Sequence, residues 1–150
     1  MIAIFDIDHT LSDASWRDHL MGEPWDKYHR ESVNDNPIMQ IIAIAKSLRS
    51  DGWKIIAMTT REEKWRYITI CTLNLFEFHF DMILMRPDND KRPTPIVKMD
   101  QFRQTFFLDQ FPNIVIFDDR LDVIEAFREI GVTALQVFAG GKRNVKNIPN

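Results

Sequence analysis

Two carboxylates set two residues apart open the chemistry of this chain: Asp6-Ile7-Asp8-His9-Thr10 follows directly on a short apolar run. Thr59-Thr60-Arg61 and Asp118-Asp119-Arg120-Leu121-Asp122 follow two further runs, and Arg86, Arg92 and Lys98 fall between them. Carboxylates can act as nucleophiles, as proton donors and acceptors, or as oxygen ligands of a hard cation. Hydroxyls and cationic side chains hold the oxygens of an anion. If the apolar runs are strands of one parallel sheet, ligands bind beyond their carboxyl ends, and all these groups arrive at one edge. Such a collection is poor material for a core.

The elements that must deliver these groups are legible as an alternation. Apolar runs at residues 2–5, 55–58, 82–85 and 114–117, with a weaker fifth at 133–138, suit strands buried on both faces of a parallel sheet. Helix signals lie between them. Asn36-Pro37 reads as an N-cap followed by proline at the first helical position. Ile38, Ile41, Ile42, Ala45 and Leu48 then recur at helical spacing, and Gly52 can close that helix. Residues 62–76 place Trp65, Ile68, Thr72 and Leu75 on one face, and residues 120–130 carry Val123, Phe127 and Ile130 before Gly131. The repetition predicts right-handed crossovers and an α/β, Rossmann-like three-layer sandwich. Residues 12–35, polar and aromatic, read as a small helical lid after the first strand, and 86–95 as a loop. The tail 140–150, with Lys142, Arg143 and Lys146, lacks an apolar period and is expected to be partly disordered.

Composition bounds the function. A chain of 150 residues, 45% hydrophobic and with 11 Phe, predicts one domain with an aromatic core. No apolar run approaches the length of a membrane span. The opening residues lack the basic segment of a secretory leader, so none is expected. The single Cys71 cannot form an internal disulfide, which fits a reducing cytoplasm, and reads as a small buried hydrophobe. A net charge of −3 argues against binding along duplex nucleic acid but leaves room for a small anionic ligand held by a few cations.

The ordered set Asp6-x-Asp8-x-Thr10, Thr59, Lys98 and Asp118-Asp119 resembles the four motifs of haloacid-dehalogenase-type phosphatases across nearly the whole chain. Thr59-Thr60-Arg61-Glu62, Leu84-Met85-Arg86-Pro87, Asp90, Arg92-Pro93, Val97-Lys98 and Phe117-Asp118-Asp119-Arg120 are similar to segments of the 3′-phosphatase domain of phage polynucleotide kinase and its small stand-alone relatives. Gly131-Val132 and Gln136-Val137 continue that likeness, and Ser15-Trp16-Arg17 and Trp25-Asp26-x-Tyr28 look like the relatives' lid. No kinase P-loop pattern occurs in the sequence.

The resemblance implies a five-stranded sheet in the order 5-4-1-2-3 and a magnesium-dependent phosphomonoesterase acting through an aspartyl-phosphate on Asp6. Asp8 would be the general acid and base, while Thr59, Lys98 and Arg61 would hold the phosphate. Asp6, Asp118 and the main-chain carbonyl of Asp8 would ligate Mg²⁺, with Asp119 behind them or as an alternate ligand. The partner would be a phosphorylated small molecule such as a deoxynucleoside monophosphate, or a nucleic-acid 3′ end. The compartment would be the cytoplasm, the host's if the chain is phage-encoded.

Several residues admit a second role. Arg61, Arg86 and Arg92 either reach substrate phosphate or sugar, or pair with Asp88, Asp90 or Glu62. Arg17 belongs to the lid segment, and Trp16, Trp25 and Tyr28 either stack on a base or pack the lid. Asp119, at a helix start, could equally cap it. His19, His29 and His79 lack metal-ligand spacing and read as surface or packing residues. His9 and Thr60 stand where relatives commonly have glycine; at position 9 this predicts an ordinary backbone angle or a side chain aimed at the lid. A phospho-accepting signalling domain and a non-catalytic end binder are the competing classes. The first has no need of a second carboxylate at Asp8, and the second would tolerate loss of Asp6.

Overall fold

Successive residues of a strand face opposite sides of a sheet, and here both sides are apolar. In the computed structural model, which describes residues 1–21 and 25–137, Ala3 and Phe5 pack into one core cluster while Ile4 packs into the other. The strands are β1 (Ile2–Phe5), β2 (Ser12–Asp13), β3 (Asn36–Pro37), β4 (Lys54–Glu62), β5 (Met82–Arg86), β6 (Ile114–Asp118) and β7 (Thr133–Gln136). The helices are α1 (Trp25–Arg30), α2 (Met39–Ser50), α3 (Arg66–Leu75), α4 (Thr94–Thr105) and α5 (Leu121–Glu129). Helices α2 and α3 contribute Ile42, Ala45, Leu73 and the following Phe76 to one side of the sheet. Phe102 of α4 and Val123, Ile124 and Phe127 of α5 fill the other. Each of these large side chains contributes roughly 1.5–3 kcal/mol on burial. The expected aromatic core is real: Phe5 stacks on Phe117 at 4.6 Å, and Phe102 touches Phe106, Phe111 and Phe127.

The large sheet is wholly parallel, in the order β5-β4-β1-β6-β7. Counting its five strands alone, that is third-second-first-fourth-fifth, the expected order read from the opposite edge. The numbering differs because β2 and β3 form a separate antiparallel ladder at the lid, which the sequence did not announce. Central β1 lies between β4 and β6, where the strand order reverses, so its carboxyl end opens into the crevice where such sheets bind ligands.

Local departures from expectation have local causes. Asn36-Pro37 does not start a helix; it pairs with Ser12-Asp13, and α2 begins at Met39 after Ile38 in extended conformation. The segment before α3 is a single 3₁₀ turn, Glu63–Trp65, which rotates the helix: Thr69, Thr72 and Leu73 are buried while Leu75 is exposed. Arg86 ends β5, and Thr94 and Pro95 open α4, so the loop is shorter than expected. The last strand stops at Gln136; residue 138 and the tail 140–150 lie outside the described residues. Both helix-ending glycines behave as read. Gly52 (φ 81°) and Gly131 (φ 82°) take the left-handed conformation, and the amides of Trp53 and Val132 reach back to the carbonyls of Leu48 and Phe127.

Strand β4 is the main surprise. It runs four residues beyond the apolar 55–58 run, and between Met58 and Glu62 it places three residues against one of β5. Such a bulge bends a strand and re-aims its side chains. Thr59 and Arg61, two apart, turn inward and are buried, while Thr60 between them is half-exposed.

Candidate active site

Asp6 is the first residue past β1, and its amide donates to the carbonyl of Phe117 at 2.9 Å, fixing it beside β6. Asp118 ends β6 itself. Lys98, on the second turn of α4, is 2% exposed and places Nζ 2.5 Å from both Asp6 Oδ1 and Asp118 Oδ2. Oxygens of Asp6, Asp118 and Asp119 lie within 4.8 Å of one another. Burial drives the Asp6 carboxyl well above the ordinary range; Lys98 opposes this, and Asp118 and Asp119 reinforce it. Burial also works against the Lys98 ammonium, but Asp118 and Asp6 overcome it and hold it firmly protonated. Three acidic groups crowded around one lysine make a site that favours a further cation. Their donor set is all oxygen, which suits magnesium and not the softer metals.

Asp8 sits in the opposite environment. Arg61 grips it with two prongs, Nε to Oδ2 at 2.9 Å and Nη2 to Oδ1 at 2.7 Å, and Arg17 Nη2 also donates to Oδ1. Burial alone would raise the Asp8 carboxyl, but Arg61 and then Arg17 outweigh it and hold the group far below the usual carboxylate range. Neighbouring carboxylates are thus driven in opposite directions, the pattern that separates roles in acid–base sites.

Both arginines are buried, at 0% exposure for Arg17 and 2% for Arg61. Arg61 therefore pairs with Asp8, not with Asp88, Asp90 or Glu62, and its Nη1 also donates to Ser32 and Thr69. The His9 alternative resolves on its second branch. Its φ is +63°, left-handed rather than ordinary, and its Nε2 lies 3.3 Å from Asp18 of the lid. The turn is held by amides of Leu11 and Ser12 on the carbonyl of Ile7.

A cavity of about 450 Å³ opens over these groups, lined by Asp6, Asp8, Thr59, Arg61, Lys98 and Asp119 at its base. Trp25, Tyr28 and His29 of the lid also line it, as do Arg86 and Arg92. Arg86 braces its own loop, donating to the carbonyls of Thr60, Asp90 and Arg92. Arg92 is spent on Asp90, whose carboxyl it pulls down to about 2, and on Asp100. Trp16 gives its indole N–H to Asp35 at 2.8 Å, and the Tyr28 ring lies beneath the Arg17 guanidinium at 4.0 Å. Trp16, Arg17 and Tyr28 thus pack and brace the lid, whereas Trp25, 52% exposed, faces the cavity mouth.

Two residues escaped the sequence reading. Asp35 is a buried carboxylate that binds Arg17; the run of polar residues around it gave no periodic signal. His29 reads correctly as packed, but it also lines the cavity, stacked between Trp25 and Trp65 at centroid distances of 5.9 and 5.5 Å. Burial, aided by Arg61 and Arg17 and opposed by Asp8, pushes its imidazole down to about 4. His19 and His79 are exposed, as expected. No helix among the described residues is long and apolar enough to cross a membrane.

Comparison with known proteins agrees with this arrangement. The family described as the polynucleotide kinase PNKP phosphatase domain matches residues 1–141. Among solved structures, a chain of the Pnkp1/Rnl/Hen1 complex is 28% identical with a TM-score of 0.79, over 91% of this chain and 45% of that one. This chain therefore spans less than half the length of that relative. A class C acid phosphatase from Bacillus anthracis (20% identical, TM-score 0.62, 81% and 52% covered) and a HAD hydrolase from Entamoeba histolytica (13%, 0.67, 93% and 84%) share the fold. No curated protein matches the sequence. A motif set read in order along the chain, gathered by the fold into one cavity and matched by one family over almost its whole length, leads to a single conclusion: the chain belongs to the polynucleotide kinase PNKP phosphatase-domain family of haloacid-dehalogenase phosphatases.

Proposed function

We propose that the protein hydrolyses the 3′-phosphate of a nucleotide or polynucleotide end with magnesium, through an aspartyl-phosphate on Asp6. The observation that carries this reading is the opposed pair: Asp6 among carboxylates with Lys98, and Asp8 two residues on, clamped by Arg61 and Arg17. Magnesium, held by Asp6, Asp118 and Asp119, would offset the repulsion between a phosphate dianion and a carboxylate nucleophile. Asp6 attacks phosphorus and the ester oxygen departs, so one difficult displacement becomes two easier ones. Asp8 gives that oxygen a proton, then takes one from the water that splits the acyl phosphate. Help of this kind is worth roughly 10²–10⁴-fold. The arginine clamp keeps Asp8 ionised in the free protein, so the proton it donates is one gained as the phosphate's negative charge enters the cavity. Lys98 and the Thr59 hydroxyl hold the oxygens that are not transferred.

The exposed face of Trp25 at the mouth supports a nucleotide leaving group, since any base can stack on an aromatic ring. Likeness to a chain of the Pnkp1/Rnl/Hen1 RNA repair complex favours a polynucleotide end over a free mononucleotide. The test is release of inorganic phosphate from a 3′-phosphorylated oligonucleotide, the matching nucleoside 3′-monophosphate and a sugar phosphate, each with magnesium and with EDTA. Turnover of the oligonucleotide, lost in EDTA and in Asp6→Asn, is expected. Preference for the sugar phosphate, or activity surviving Asp6→Asn, refutes the proposal.

A further inference from the structure

Arg17 has no solvent exposure, yet its guanidinium serves two carboxylates at once. Nε donates to Asp35 Oδ1 at 2.7 Å and Nη2 to Asp35 Oδ2 at 2.6 Å, a two-pronged grip. The same Nη2 also reaches Asp8 Oδ1, and Nη1 donates to the carbonyl of Tyr28 at 3.2 Å. Asp35 is itself 6% exposed and saturated: Trp16 Nε1 and Ser12 Oγ add to the two bonds from Arg17. Its place is fixed from outside the site, because Ser12 and the residue after Asp35 belong to the β2–β3 ladder.

We propose that Asp35 is a positioning residue for the reaction: by holding Arg17 at the edge of Asp8, it leaves Asp8 free to point at the leaving oxygen. The reasoning is geometric. A guanidinium has five N–H donors in a rigid fork, and a buried one left without its carboxylate turns to the next acceptor. For Arg17 that acceptor is Asp8, which Arg61 already grips through both oxygens. With Asp35 gone, Arg17 also closes on Asp8, and the two forks together occupy the lone pairs that must exchange a proton with substrate. With Asp35 in place the Arg17 fork is divided, and Asp8 keeps an open side towards the cavity, where its side chain is 22% exposed.

The inference rests on the phosphatase reading above and on Asp8 as proton donor, and the experiment separates the two. For wild type and Asp35→Asn, kcat/KM is measured on an aryl phosphate, whose leaving group needs little protonation, and on the 3′-phosphorylated oligonucleotide, whose alkoxide needs a proton. This parameter reports steps up to leaving-group departure. Asp35→Asn is expected to lower the ratio of oligonucleotide to aryl kcat/KM by at least ~10-fold, within what general acid help supplies. Adding Arg17→Lys, which keeps the charge but removes the fork, to Asp35→Asn should recover most of the lost ratio, since no second fork remains to close on Asp8. Equal losses on both substrates, or a double variant that recovers nothing, overturn the role of Asp35 and leave the phosphatase reading intact. A wild-type protein inactive on both substrates overturns that reading and the inference with it. If Asp35→Asn does not fold by circular dichroism, Asp35→Glu, with its carboxylate displaced by one methylene, takes its place. It must show the same selective loss, and an unchanged ratio counts against the proposal.

Discussion

His29 should make this protein acid-sensitive in a defined window. The imidazole sits between Trp25 and Trp65, with its Nδ1 buried and without a hydrogen-bond partner, so charging it in place is unfavourable. Its pKa falls from the ordinary 6.5 to about 4. At about 1.36 kcal/mol per pKa unit, that drop corresponds to about 3 kcal/mol of coupling between proton binding and unfolding. Between pH 6.5 and 4 the unfolded chain binds the proton and the folded chain does not. Stability therefore falls as the pH is lowered through that window, and the loss is complete below about 4. Asp6 works the other way in the metal-free protein, because its raised carboxyl pKa favours the folded state as acid is added. Comparison with a variant removes that term. Urea unfolding of wild type and His29→Gln, in EDTA at pH 7 and pH 4.5, gives the two losses. Wild type should lose about 2.5 kcal/mol more than the variant. Losses equal to within about 0.5 kcal/mol would show that His29 is solvated enough to charge freely, and the burial argument would fail.

Two other perturbations test the site from its edges. At His9 the left-handed backbone should make His9→Ala less stable than His9→Gly by about 1 kcal/mol in chemical denaturation, since both lose the Asp18 contact but alanine retains the Cβ clash. A more stable alanine variant would contradict the strained turn. Lys98→Met strips the cation from between Asp6 and Asp118 and should cost the metal-free protein about 3–5 kcal/mol, as broken buried pairs do. Magnesium should then raise the melting temperature of this variant more than that of wild type, and differential scanning fluorimetry giving equal increments would count against a shared charge site.

How far the sequence reached depends on the kind of force that fixes each part. The strands β1, β5 and β6 and the ends of α2 and α5 were legible, because unbroken apolar runs and glycines past a helix follow local rules. Residues Asp6, Asp8, Thr59, Lys98 and Asp119 do line one cavity, as motif order implied. The extension of β4 was not legible: its last residues are polar, and Arg61 among them finds its partner, Asp8, across the site rather than within its own segment. Asn36-Pro37 carried a correct local signal for a helix start, and pairing with Ser12-Asp13 overrode it. The arginine clamp was hidden for the same reason. Arg17 and Arg61 look like surface cations in one dimension, and only contacts spanning nine and 53 residues reveal them as buried. A buried cation leaves no mark in composition when its counter-charge lies elsewhere in the chain.

The placement of Lys98 also bears on how the molecule is made. Its bonds to Asp6 and Asp118 join residues 92 and 20 positions apart, and tie α4 to the residue just past β1 and to the end of β6. Contacts of such separation carry a large loop-closure entropy and form after local structure has reduced it. Interactions absent from the folding transition state govern how slowly a native protein opens, while leaving the rate of its formation nearly untouched. The ammonium that joins Asp6 to Asp118 is therefore expected to act as a late-closing clasp. Its loss should shorten the lifetime of the native state without slowing its assembly.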